Sequence, residues 1–246
     1  MKRLILLLLA IPVFTPVFSQ HGWEIRLMPQ AAFGTKNTLQ RPGDQGTRFS
    51  LDKEFNRKNE GVFSPRLELE YTVKRHHLIA TAAWLQNRFN GTSPQNIYYN
   101  EVLFGAGTEI DAHYRFDTYR LGYRYRIVDS PALAFELGAT VLFRDAVISL
   151  RNPEHKSSYS NVGVAPLLSY LLEWQAAERF SLLTYGDAFA VKAGRAEDIF
   201  AGIKYSFSPI LSGRAGYRFL EGGSDGDRIY TMAAFHYLSF GLGIRF

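Results

Sequence analysis

Three features of the sequence predict an all-β chain folded as an antiparallel up-and-down transmembrane β-barrel of about ten strands. A period of two in side-chain polarity recurs along most of the chain. Aromatic residues make up 15% of the composition, yet the mean hydropathy is −0.13, as expected when half of each strand faces a polar interior. The final stretch, Arg228 to Phe246, alternates over nineteen residues. Soluble strands average about 5–6 residues, and about 9–11 suffice to cross a bilayer.

The chain opens with Lys2 and Arg3, an apolar run from Leu4 to Val13 and small residues near Val17 and Ser19. This is the layout of a cleavable export signal over residues 1–19, leaving residues 20–246 as the barrel. Loss of Lys2 and Arg3 leaves 26 basic against 23 acidic residues, or +3, too weak a balance to point to nucleic acid. With no cysteine in the chain, a disulfide framework and lipidation at a mature N-terminal Cys are excluded. No run of eighteen apolar residues follows residue 20, which excludes transmembrane helices.

Strand by strand, Trp23, Ile25, Leu27, Ala31 and Phe33 alternate with Glu24, Arg26, Met28 and Gln30. Thr35 to Glu60, charged and aperiodic, reads as a long loop. Leu67, Leu69, Tyr71 and Val73 alternate with Arg66, Glu68, Glu70 and Thr72 as strand two, and Leu78 to Phe89 is a third strand with apolar residues on both faces. Gly91 to His113 reads as a loop, with or without an irregular strand extension. Tyr119 to Ile127 and Leu133 to Arg144 are the fourth and fifth strands, joined by the turn Asp129, Ser130 and Pro131. Arg151 to Tyr159 is a polar loop, strand six ends at Trp174, and Phe180 to Val191 is strand seven with ambiguous facing. Ile199 to Phe207, Leu211 to Phe219 and the terminal stretch complete ten. A hidden hairpin in Gly91 to His113 would raise the count to twelve, and misreading strands three and seven would lower it to eight. Short and long connections alternate, the pattern of short periplasmic turns and longer external loops, which places both termini in the periplasm.

Energy decides the facing. Lys or Arg at the bilayer midplane costs about 2–4 kcal/mol, so the polar face is lumenal. That gathers Arg66, Glu68, Glu70, Arg120, Arg124, Arg126, Glu136, Arg144, Lys204, Arg214, Arg218 and Arg245 into a lumen charge network, joined by Glu24, Arg26 and Glu173. Two readings follow. The carboxylates of strands two and five neutralise the arginines of strands four, nine and ten in a filled interior, or the excess of bases lines a narrow passage that favours small anions. Aromatic residues such as Trp23, Tyr71, Trp174 and Phe207 at one end, and Phe89, Phe143, Phe219 and Tyr230 at the other, form two expected belts.

No catalytic set is predicted. His236 and Ser239 are three apart on one strand and face opposite ways, while Asp111, His113, Asp225 and Asp227 are scattered over loops. His76 and His77 share a turn and make a poor metal site without further ligands. A membrane-barrel hydrolase and a subunit of an envelope complex are the alternative functions, and no cofactor is expected.

The last strand, with Phe246 at its end, resembles the terminal strand of bacterial outer-membrane β-barrels. The segments GRAEDI, KYSFSP, GYRFLEGGSDGD and FHYLSFGLGIRF are similar to a largely uncharacterised group of outer-membrane barrel proteins from Gram-negative bacteria. The resemblance covers about the last quarter of the chain. It implies a location in the outer membrane, contact with outer-membrane lipid and recognition of Phe246 by the barrel-assembly machinery. It supplies no reaction.

Overall fold

The structure, a computed structural model, describes residues 21–57, 61–192 and 194–246. The predicted export signal lies outside the described residues. The opening strand comes in two pieces, β1 (His21–Met28) and β2 (Gln30–Gln40), broken at Pro29, which has no N–H for the ladder. Next come β3 (Phe49–Ser50), the single helical turn α1 (Leu51–Glu54), β4 (Asn56–Arg57) and β5 (Val62–Phe63). β6 (Arg66–Val73) turns through Lys74 and Arg75 into β7 (His76–Ala83), and β8 (Gln86–Thr92) continues β7. Lys74 takes the left-handed conformation, φ 53°, that so short a turn requires.

β9 (Ile97–Tyr99) and β10 (Val102–Phe104) pair only with each other. The rest is a meander of long strands. These are β11 (Glu109–Asp129), β12 (Leu133–Arg151), β13 (Lys156–Ala177), β14 (Phe180–Val191), β15 (Gly194–Ser206), β16 (Leu211–Gly226) and β17 (Ile229–Arg245).

β1, β6, β7 and β11 to β17 pair in that order, and β17 returns to β1 with Ile25 opposite Ile244 and Leu27 opposite Leu242. Ten antiparallel strands close the ring, which is the predicted fold class. Toward one end, β2 replaces β1 beside β17 and β8 replaces β7 beside β11. The hairpin β9–β10 stands apart from the wall, so Gly91 to His113 adds no strand to the ring.

The strands outrun their predicted limits at the loop end. The expected loop at 151–159 shrinks to Asn152 to His155, where Asn152 Oδ1 accepts from the backbone N–H groups of Glu154 and His155 at 3.1 and 2.5 Å. The expected loops at 192–197 and 222–227 are largely β15 and β16, and β2 and β11 extend into the other two. At about 3.3 Å per residue, the 21 residues of β11 span about 69 Å. A tilt of about 40° leaves about 53 Å of height, twice the apolar band of about 25 Å on such barrels.

The extra height has its own packing rule. In the half nearer the short turns, the outward face of β11 is Tyr119, Leu121, Tyr123, Tyr125 and Ile127, all exposed, and Arg120 and Arg124 are buried inside. Above Thr118 the apolar side chains switch to the inward positions Ile110, Ala112, Tyr114 and Phe116. They pack with Leu39, Phe49, Leu51, Phe55, Phe89, Tyr99, Phe104, Leu150 and Phe235 into the largest core of the molecule. Tyr114 stacks on Phe235 with centroids 5.8 Å apart. Phe89 is fully buried in this core, a correction to its expected place in an aromatic belt.

Candidate functional site

The lumen of the lower half is the candidate site, because alternation on ten strands drives nearly every predicted charge into it. Asp198 on β15 is its hub. Its carboxylate accepts from Arg218 Nε at 2.6 Å and Nη2 at 2.8 Å, from Arg66 Nη1 at 3.1 Å and from Arg120. Arg120 also reaches Asp187 Oδ2 at 3.2 Å, and Thr140 donates to Asp187 Oδ1 at 2.9 Å. Glu68 joins two strands, accepting from Arg66 at 2.7 Å and from Arg26 at 2.8 Å.

A second layer lies nearer the short turns. Glu136 accepts from Arg124 at 3.0 Å and from Arg126 at 2.9 Å, and His77 Nε2 lies 3.1 Å from it. The other ring nitrogen of His77 is 2.7 Å from Glu70, which also accepts from Arg26 at 2.6 Å. Lys204 donates to Glu173 at 2.7 Å and Arg245 to Glu24 at 3.1 Å. Arg214 is held loosely, 3.8 Å from Glu24 Oε1. Arg144 sits highest, donating to Asn161 at 3.1 Å.

Glu136 of strand five meets Arg124 and Arg126 of strand four, but the pairing of strand two differs from the expected one. Strand two neutralises Arg26 and Arg66 rather than strands nine and ten, whose Arg218 and Arg245 are met by Asp198 and Glu24. Asp187 and Asp198 stand outside the predicted network because strand seven has apolar residues on both faces and the apolar alternation of strand eight starts at Ile199. The signal was present: Asp198 lies at the same parity as Lys204. The mixed facing of strand seven reflects a small apolar cluster of Met28, Leu171, Leu183, Tyr185 and Phe200 that fills one side of the lumen. The Phe200 ring lies over Gly202 and Gly216, where an added Cβ would come within 2.8 and 2.7 Å of it.

These groups leave little space. Two voids in the mid-barrel measure about 20 and 30 Å³, room for one or two waters each. Below them a vestibule of about 750 Å³ opens between the short turns, and above them lies the apolar core.

The residues weighed for catalysis do not converge. Ser239 points inward and accepts from Gln30 Nε2 at 2.8 Å, whereas His236 faces outward beside Tyr217 and Phe219. Asp111 and His113 lie on the outer side of β11, five strands around the ring from β16, which carries Asp225. His76 and His77 begin β7 and face opposite ways, His76 toward Tyr123 at 2.8 Å. No cluster of three potential metal ligands exists among the described residues. Phe246 closes the ring through its backbone, donating to Trp23 at 2.9 Å and accepting at 2.8 Å, with its ring exposed.

No protein-family model matches the chain, and no curated protein does. Solved structures match in fold. Outer membrane protease OmpT from Escherichia coli aligns over 92% of this chain and 96% of its own, with a TM-score of 0.57 and 10% identity. Ail, the attachment invasion locus protein of Yersinia pestis, aligns over 92% and 99% with a TM-score of 0.40 and 15% identity. Neisserial surface protein A aligns over 93% and 98% with a TM-score of 0.33 and 13% identity. The first of these carries the comparison, and at that identity it is one of fold: this chain has the architecture of bacterial outer-membrane β-barrels.

Proposed function

We propose that the protein is a non-conducting, non-enzymatic barrel of the bacterial outer membrane that serves as a rigid structural element. It is exported by removal of residues 1–19, keeps the short turns and both termini in the periplasm, and raises its long strand ends outside the cell. Outer-membrane lipid surrounds the apolar band, and the barrel-assembly machinery reads the strand that ends in Phe246. Small anionic solutes meet the barrel only at the vestibule. The observation that carries this reading is the double closure of the interior, by buried ion pairs in the membrane half and by the apolar core above them. The catalytic candidates lie on opposite faces or opposite sides of the ring, which favours a structural role over hydrolysis.

Single-channel recording on the refolded mature protein in a planar bilayer tests it. A stably inserted barrel without conductance steps is the expected result. Steady anion-selective steps would overturn the closed reading and establish the arginine-lined passage instead.

A further inference from the structure

We infer that the vestibule at the turn end is a binding site for a small multivalent oxyanion of the phosphate or pyrophosphate class, with Arg214 as its anchor. The cavity of about 750 Å³ is far larger than the mid-barrel voids and is lined by seven Lys or Arg side chains against five Asp or Glu. Every one of those acids is already engaged. Glu24 holds Arg26 and Arg245, Glu70 holds Arg26 and His77, Glu173 holds Lys204, and Glu136 and Asp129 hold Arg126.

Among the buried bases of this lining, Arg214 is the one held most weakly. It is 8% exposed, its ion pair to Glu24 stretches to 3.8 Å, and its Nε has no hydrogen-bond partner. A buried guanidinium with an unused donor is costly, and a planar fork of N–H groups matches two oxygens of a phosphate. Its neighbours complete the site. Lys204 lies directly across from Arg214 on β15, Arg245 stands at the mouth from β17, and Arg75 projects from the turn after β6 without an ion pair among the described residues. Gly243, opposite Ser212, packs against Glu24, and an added Cβ there would lie 2.9 Å from Glu24 Oε1 and from Ser212 Oγ. Glycine there lets Glu24 hold Arg245 aside and leaves Arg214 open to the cavity.

Calorimetric titration of inorganic pyrophosphate into the refolded mature protein in a zwitterionic detergent tests the site. One saturable site is expected, with affinity lowered about tenfold or more in Arg214→Gln by the loss of charge-assisted hydrogen bonds and unchanged in Arg88→Gln, an arginine on the outer face of β8. Wild-type protein provides a readout that needs no variant: pyrophosphate should protect Lys204 from an amine-modifying reagent while Lys36 on β2 stays reactive. Absence of saturable binding, equal affinity in Arg214→Gln, or Lys204 left unprotected would each overturn the inference. None of these outcomes depends on whether the barrel conducts.

Discussion

From Thr118 to Ile127, β11 turns its apolar side chains outward and its arginines inward; from Ile110 to Phe116 it does the reverse. One strand, in one ring, obeys opposite rules at its two ends. The backbone ladder to β12 runs without a register shift from Asp111 to Arg126, so nothing in the pairing causes the change. The surroundings do. Where the wall meets lipid, the lumen is the place for polar groups, and it satisfies them with ion pairs; where the wall meets water, the lumen becomes a soluble-type core. Asp117 marks the crossing, accepting from the Leu85 backbone N–H at 3.3 Å beside the break between β7 and β8.

The two halves should therefore break differently. The largest effects come from removing a hub. Asp198→Ala strips the shared partner from Arg66, Arg120 and Arg218, and a buried pair broken on one side costs about 3–5 kcal/mol. Urea titration in lipid vesicles, followed by gel mobility, should show the whole barrel destabilised. Phe89→Ala leaves a cavity of similar cost in the upper core, about 3–5 kcal/mol. Here limited proteolysis should cut β3 to β5 and the β9–β10 hairpin while the membrane ring keeps its folded mobility.

A matched pair sharpens the contrast at the next level. Leu121→Arg on the lower outer face should cost about 2–4 kcal/mol in the same titration. Ser149→Arg on the upper outer face should stay within about 0.5 kcal/mol, as for an ordinary surface site. Equal costs would mean that both surfaces see the same solvent.

A smaller loss than those at the hub, the upper core and the lipid face is expected for Tyr99→Phe, about 1 kcal/mol. Its hydroxyl donates to the Ile148 carbonyl at 3.1 Å, tying the β9–β10 hairpin to the wall, and burial pushes its pKa above the ordinary tyrosine value, so the donor stays protonated. Because the unfolded chain ionises first, above a pH of about 10, resistance of the upper core to proteolysis should fall as pH rises past that point.

The membrane half was legible in the sequence because lipid imposes one sign on the outer face. Tyr119 to Ile127 and the terminal strand alternate without exception in that half, and even the lumenal arginines could be placed by their cost in lipid. The upper half was not legible for the same reason in reverse. At Lys156 to Ser160 the outer positions are polar or small, and Ile148 and Leu150 alone do not announce a strand. Strands three and seven carry apolar residues on both faces because Leu85 and Phe89 belong to the upper core, and Leu183 and Tyr185 to the small lumenal cluster. The site follows suit: cost in lipid places the bases, whereas Asp187 lies in a strand of ambiguous facing and Asp198 just before the apolar alternation that starts at Ile199.

Spin labels read this division most directly, and the chain contains no cysteine, so single cysteines can be introduced one at a time. Labels at each odd position from Asp111 to Ile127, in protein refolded into lipid vesicles, report relative access to oxygen and to a water-soluble nickel chelate. The account predicts access dominated by oxygen from Tyr119 to Ile127 and by nickel from Asp111 to Arg115, with the crossing near Asp117. Lipid-like access across Asp111 to Arg115, or aqueous access at Leu121 and Tyr123, would contradict it.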